Sequence, residues 1–485
     1  MPSSDVGAEA HDVVIVGTGF ASSFFLLGYL ERASPDARII VLERGRRNDH
    51  AWQIEHRANS DVVAADLFQR RGDPDKNWNF TIGFGGGSNC WWGNTPRMLP
   101  ADFELQSRFG IGTDWPLSYD DLAPHYERVE REMEIAGPAD SSPFPRRGPY
   151  PQPPHRLNEA ERLLKRAYPG QFFATPTARA RLPARSRGTC CANGICNLCP
   201  VDAKFTIQNS LAHLYEDPRV TLLLGAEALA VETAAGRATG VVCRHQDRET
   251  TVLGDLVVLG ANALFNPAIL LRSGLHHPLL GRRLHEQVGL LAEVHLDGVD
   301  GFQGSSSVTG HGYMLYDDDT RRRTKAACLI ETWNVGTFRP NYGRWLQALP
   351  LRLVFEDLPQ DRNRVELSLD PPGRPVATFE ERSEYAMRAV RDIGPDLERV
   401  LAPLPVERVV IEAAPEPTES HVQGTTVMGD HPDSSVIDRF CIHHGIRNLV
   451  VLGAGAFPTG SPANPTLTLC ALSLWSVDHL LSSAA

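Results

Sequence analysis

Long hydrophobic runs are missing from this chain. The longest near its start, in GFASSFFLLGYL (19–30), falls short of the ~20 apolar residues a bilayer-spanning helix needs. An excess of positive charge is missing too. Lys and Arg number 48 against 59 Asp and Glu, a formal net charge of −11, which argues against nucleic acid or an anionic membrane as partner. The opening MPSSDVGAEAHD has no basic region and no twin arginine, so no export signal is read and a cytoplasmic location is expected. Cysteine is sparse, odd in number at nine and unevenly spaced, which disfavours a disulfide framework. No internal repeat is visible. The run DDDTRRRTK (317–325) mixes signs and is expected to be a solvated loop.

Against these absences, HDVVIVGTGFASS reads as a buried strand, a glycine turn and a helix. Gly17 permits the tight turn, and Gly19 lets a pyrophosphate approach the backbone at the positive end of the next helix. Ser22 stands where a third glycine is usual, and is small enough for close helix–strand packing. A second strand, ARIIVLERG, ends on Glu43, a carboxylate placed to accept hydrogen bonds from ribose hydroxyls. Strand, turn, helix, strand and acid follow within one βαβ unit, the order of a dinucleotide site.

Three further stretches bear on which dinucleotide. GFGGGSNCWWGNTPRM (83–98) is glycine-rich and then aromatic, suited to backbone packed on a flat cofactor; Trp91 and Trp92 either wall the pocket or fill core. DLVVLGANALFNPAILLRSG (255–274) gives a buried strand, a turn and a helix. Near the end come a strand at Leu449–Leu452, a small-residue loop, and a helix from about Pro465.

With WPLSYDDLAPHYERVEREMEIAG (115–137), GRRLHEQ (281–287), HVQGTTVMG and NPTLT, these motifs resemble the glucose–methanol–choline (GMC) family of FAD-dependent oxidoreductases. GGGSNCWWGNTP and FPTGSPANPTLT are most similar to pyranose oxidases and related glycoside oxidases. The resemblance implies an α/β fold: a Rossmann-like FAD-binding domain plus an α+β substrate domain with an antiparallel sheet. The FAD domain is expected from 1–110, 190–285 and 420–485, and the substrate domain from 111–189, which includes a connecting segment, and 286–419. Residues 138–154, PADSSPFPRRGPYPQPP, are too proline-dense for helix or central strand and should form a connection or a lid. The alternating runs RLVFEDL and NRVELSL (352–369) suggest antiparallel strands.

The implied FAD contacts are Gly17, Gly19, Ser22, Glu43, Gly86, Gly87, Ser88, Asn89, Cys90, Asn262, Gly455, Ala456, Pro465 and Thr466. Pyranose-oxidase-like enzymes attach flavin through a histidine at the position of Cys90, so FAD is expected to be noncovalent here, with a cysteinyl bond the alternative. Oxidising an alcohol through flavin needs a base of near-neutral pKa. The resemblance places it at His421, with Asn464 as the second member of the pair. Asn464 is also a good helix N-cap residue ahead of Pro465, and one amide serves one role well.

The expected activity is oxidation of an alcohol of a sugar, glycoside or polyol to a carbonyl, with hydride passing to flavin N5 and the proton to His421. The alternatives are a non-sugar natural-product alcohol as substrate, a lyase that uses flavin structurally, and a non-enzymatic FAD-binding protein. Electrons would leave to oxygen, a quinone or a redox protein. CCANGICNLCP (190–200) bears on that choice. Cys191-x4-Cys196-x2-Cys199 followed by proline has iron–sulfur spacing, with Cys190 an alternative first ligand. It resembles the cluster segment of some membrane-associated sugar dehydrogenases of the family, with the second gap one residue tighter. Zinc, a disulfide and a reduced structural loop remain alternatives.

Overall fold

The computed structural model describes residues 10–139, 142–337 and 339–483. Val13, Val14 and Ile15 are fully buried, as an inner parallel strand flanked on both faces requires. The strand His11–Val16 pairs in parallel with Ile39–Glu43 on one side and with the end of Arg248–Leu259 on the other. Val220–Leu224 and Leu449–Val451 extend this parallel sheet at its two sides. The long strand Arg248–Leu259 does double duty. Its first half closes an antiparallel meander with Arg237–His245 and Ala226–Ala234, and its second half enters the parallel sheet. Seven strands from three distant stretches thus make one sheet.

Helices Phe20–Leu30 and Thr466–Ser483 pack on each other. Phe24, Phe25, Leu26, Leu467, Leu472 and Leu474 are all buried, so neither helix presents a fully polar face. Gly28 sets their approach, because a Cβ there would sit 2.5 Å from Val477 Cγ1.

The second body is a six-stranded sheet in the order Val406–Ile411, Val288–Leu296, Ala348–Phe355, Cys328–Trp333, Val308–Leu315, Phe172–Ala174, antiparallel throughout. Helices Glu384–Arg391 and Ile393–Leu401 contribute to its core. The α/β architecture with a separate antiparallel sheet is therefore present.

The runs RLVFEDL and NRVELSL form antiparallel strands as expected, in two different sheets. Ala348–Phe355 lies inside the large sheet, whereas Arg364–Leu369 pairs with Pro372–Phe379 in a three-stranded sheet that recruits Gln69–Gly72 from the N-terminal region. The run at 317–325 is not simply solvated. Asp319–Arg322 is a short helix, Arg321 and Arg322 are buried, and Arg322 is ion-paired to Asp102 and Glu356. Buried acids contributed by remote segments override the local polarity of the run.

Candidate active site

The glycine turn opens into a cavity of about 1030 Å³ that reaches from the parallel sheet to the antiparallel one. Gly17, Gly19, Glu43, Gly86, Gly87, Cys90, Asn262, His421, Asn464, Pro465 and Thr466 all line it. A Cβ added at Gly19 or Gly87 would meet nothing within 4 Å, so both backbones face open space. Gly17 is held at φ +90, a conformation that only glycine adopts without strain, and a Cβ there would lie 2.9 Å from the Gly260 carbonyl oxygen. The turn feeds helix Phe20–Leu30, whose Gly19 cap supplies no side-chain bond, so first-turn N–H groups and the positive end of the helix dipole are free for an anion. These features fit a dinucleotide pyrophosphate.

Ser22, Ser88, Asn89, Gly455 and Ala456 do not line the cavity. They build its walls. Ser22 Oγ donates to the Val16 carbonyl, and a Cβ on Gly260 would lie 2.0 Å from Ser22 Oγ, so helix and strand meet through two small residues. Ser88 Oγ donates to Gly85 O and accepts from Ile207 N; Asn89 Nδ2 donates to Phe84 O. Gly455 and Ala456 carbonyls accept from Thr426 and Met428, aligning the segment after His421. Cys90 reaches the cavity, its thiol 3.5 Å from the Gly87 carbonyl.

At the far end, Glu286 organises the loop that carries His421. Its carboxylate pairs with buried Lys76 and accepts from the N–H groups of Glu419 and His421 and from Thr418 Oγ1. His421 Nδ1 lies 3.1 Å from Gln287 Oε1. Burial pushes the His421 imidazole down to about 4 against the opposing pull of the Glu331 carboxylate, so the ring is neutral at pH 7. Asn464 does not cap the helix. The helix begins at Thr466, its first main-chain bond runs from Leu469 N–H to Pro465 O, and the buried Asn464 Oδ1 has no partner among the described residues. An unpaired buried amide oxygen on a cavity wall is a group that awaits a donor from a ligand.

Sequence reasoning missed the wall contributed by the antiparallel sheet. Glu331 and Arg352 face each other across neighbouring strands. Arg352 forks onto Glu419 at 2.7 and 2.9 Å. Glu331 accepts from Asn94 Nδ2 and Trp333 Nε1; burial would raise its pKa, but the His311 ring and Arg352 outweigh that and hold it down at about 2. Trp92 and Trp333 pack with ring centres 4.9 Å apart, and Glu331, Arg352, Trp92 and Trp333 all line the cavity. The available signal was a single acid and a single base inside largely apolar strands, CLIETW and ALPLRLVF.

The cysteine segment is a clasp. Among the described residues, no three His, Cys, Asp or Glu side chains are grouped so as to hold a metal ion. The expectation that Cys191, Cys196 and Cys199, or Cys190, converge on a cluster is therefore not met by the structure. Cys191 is exposed, Cys196 is buried against Ser307 Oγ at 3.2 Å, Cys190 lies 3.7 Å from Ser306 Oγ, and Cys199 Sγ accepts from Ala203 N–H. What the segment does hold is Lys204, whose buried ammonium donates to the carbonyls of Asn89, Trp91, Cys196 and Asn197. That ties the cysteine loop to the glycine-rich stretch.

Two family models, both described as GMC oxidoreductase, match residues 164–289 and 359–473. The chain is 25% identical to the fructose dehydrogenase large subunit of Gluconobacter japonicus, over 97% of this chain and 98% of that one. It is 27% identical to paromamine 6'-oxidase of Streptomyces fradiae, over 96% and 90%. Among solved structures, pyridoxine 4-oxidase from Mesorbium loti shares the fold with a TM-score of 0.66 and 18% identity, over 97% of this chain and 99% of that one.

Proposed function

The chain belongs to the GMC oxidoreductases, and from that premise we propose that it uses noncovalently bound FAD to oxidise an alcohol of a sugar, glycoside or polyol-like substrate to a carbonyl. The observation that carries this reading is one continuous cavity lined by a dinucleotide turn, by a neutral histidine and by an asparagine whose buried amide oxygen has no partner among the described residues.

Gly17, Gly19 and the start of helix Phe20–Leu30 would hold the pyrophosphate, and Glu43 the ribose. Pro465 and Thr466 line the cavity at the start of the C-terminal helix, whose N–H groups and dipole would favour negative charge on a bound cofactor. Bound FAD supplies the acceptor for the carbinol hydride. His421 takes the hydroxyl proton, and its neutral ring is ready to do so without prior deprotonation. Asn464 orients the substrate oxygen without competing for that proton. Trp92 and Trp333 give a sugar ring apolar faces, and Glu331 and Arg352 give its hydroxyls charged partners.

Electrons then pass to oxygen, a quinone or a redox protein. Among the described residues no helix is long and apolar enough to cross a membrane.

The test is anaerobic mixing of the flavin-loaded protein with a panel of sugars, glycosides and polyols. Bleaching of the flavin absorbance by members of the panel is expected, followed by reoxidation in air or by a quinone. A substrate that is turned over with no bleaching would instead point to a lyase.

A further inference from the structure

Gln287 is buried, and its carboxamide fits in one orientation only. The Nε2 end donates to two main-chain carbonyls, Ser461 O at 2.9 Å and Ala463 O at 3.1 Å. Neither acceptor carries a hydrogen, so a flipped amide would set oxygen against oxygen twice. Oε1 therefore points the other way, to His421 Nδ1 at 3.1 Å, with Gln423 Nε2 a second, longer neighbour at 3.4 Å. An amide oxygen can only accept. Nδ1 must then carry the ring proton, and in a neutral imidazole this leaves the lone pair on Nε2.

We propose that Gln287 is the positioning residue that fixes His421 in its Nδ1–H tautomer, so that Nε2 is the proton-accepting nitrogen. The same carboxamide links the histidine to the loop that delivers Asn464, so both members of the pair hang on one side chain. This rests on His421 being the base. The choice of an amide has chemical content, because the adjacent Glu286 could have supplied a carboxylate. That carboxylate is spent instead on Lys76 and on the main chain of 419–421. A carboxylate on Nδ1 would favour imidazolium, whose Nε2 has no lone pair to offer. A neutral acceptor orients the ring and leaves it uncharged.

The test is nitrogen-15 NMR of histidine-labelled protein, with His421→Gln used to assign the signal. At pH 7 the wild type should show a protonated Nδ1 and an unprotonated Nε2 for His421. Gln287→Met should mix the tautomers and slow flavin reduction about 10- to 100-fold, less than loss of the base itself. Gln287→Glu should move the acid limb of kcat/KM to higher pH, a shift that a merely structural residue would not produce. A wild-type His421 protonated on Nε2, or a Gln287→Met protein with unchanged tautomer and rate, would overturn the proposal. If Gln287→Met does not fold, the wild-type spectrum still decides. Full flavin reduction by His421→Gln would defeat the base assignment, a failure separate from the tautomer result.

Discussion

Thr18 gives both of its protons to one oxygen of Glu43: the main-chain N–H at 3.1 Å and the hydroxyl at 2.7 Å reach Oε2, while Gly45 N–H reaches Oε1 at 2.9 Å. The residue inside the glycine turn thereby orients the acid at the end of the next strand, and the two halves of the dinucleotide motif become one rigid unit. Glu43→Ala should remove a charged acceptor worth about 1.5–3 kcal/mol, weakening FAD binding about 10- to 100-fold. Fluorescence titration of FAD into apoprotein measures this. Glu43→Gln, which keeps one acceptor oxygen, should fall between alanine and wild type.

The pH dependence follows from the environment of His421. Burial holds its imidazole near 4, below the ordinary histidine value, so the reactive neutral form persists down to mild acid. With the flavin-loaded enzyme, kcat/KM should be flat through neutral pH and fall only as the ring protonates near pH 4. A limb close to 6.5 would contradict the described environment. His421→Ala should slow flavin reduction by about 10²–10⁴ at pH 7, with bound flavin retained.

What was legible in the sequence was chemistry that neighbours in the chain can specify. Gly17, Gly19 and Glu43 lie within one βαβ unit, where spacing alone sets geometry. His421 and Asn464 came from resemblance, and their places on one cavity depend on a loop and a helix start tied together through Gln287. Glu331 and Arg352 could not be paired in advance, because their opposition is a property of strand register between 328–333 and 348–355. Arg322 looked like one member of a solvated charge run until Asp102 and Glu356, 220 and 34 residues away, enclosed it. In each case the missing information was long-range.

The Arg352 fork shows what such a pairing is worth. Its removal leaves Glu419 and Glu331, both buried, without their shared cation. Arg352→Met should cost about 3–5 kcal/mol, the range for breaking a buried pair on one side only. A denaturant series gives the midpoint shift. Burial already raises the Glu419 carboxyl to about 7 despite Arg352, so the variant should bind an added proton there and lose less stability at pH 5 than at pH 8. An unfolding free energy equal to wild type at pH 8 would show that the pair contributes nothing.

Lys204 gives the cysteine-rich loop a role that requires no metal. Its ammonium is fully enclosed, and burial brings its pKa down to about 8. Among the described residues its hydrogen bonds go to four carbonyls, two from the glycine-rich stretch and two from the cysteine loop, and the more distant Asp202 carboxylate also favours its charge. Lys204→Met keeps the length and apolar stem but removes the donor, leaving those carbonyls unpaired at about 1–3 kcal/mol for each that stays buried. The loss should fall on the wall next to Gly86, Gly87 and Cys90, so flavin retention should drop along with Tm. Cys191 is exposed and outside the cavity wall, so Cys191→Ser should leave flavin content, flavin reduction and Tm unchanged, and chelator treatment of the wild type should do the same. If instead chelation or Cys191→Ser abolished electron transfer while the flavin stayed bound, the loop would be a metal site after all, and Lys204 no longer its reason for being there.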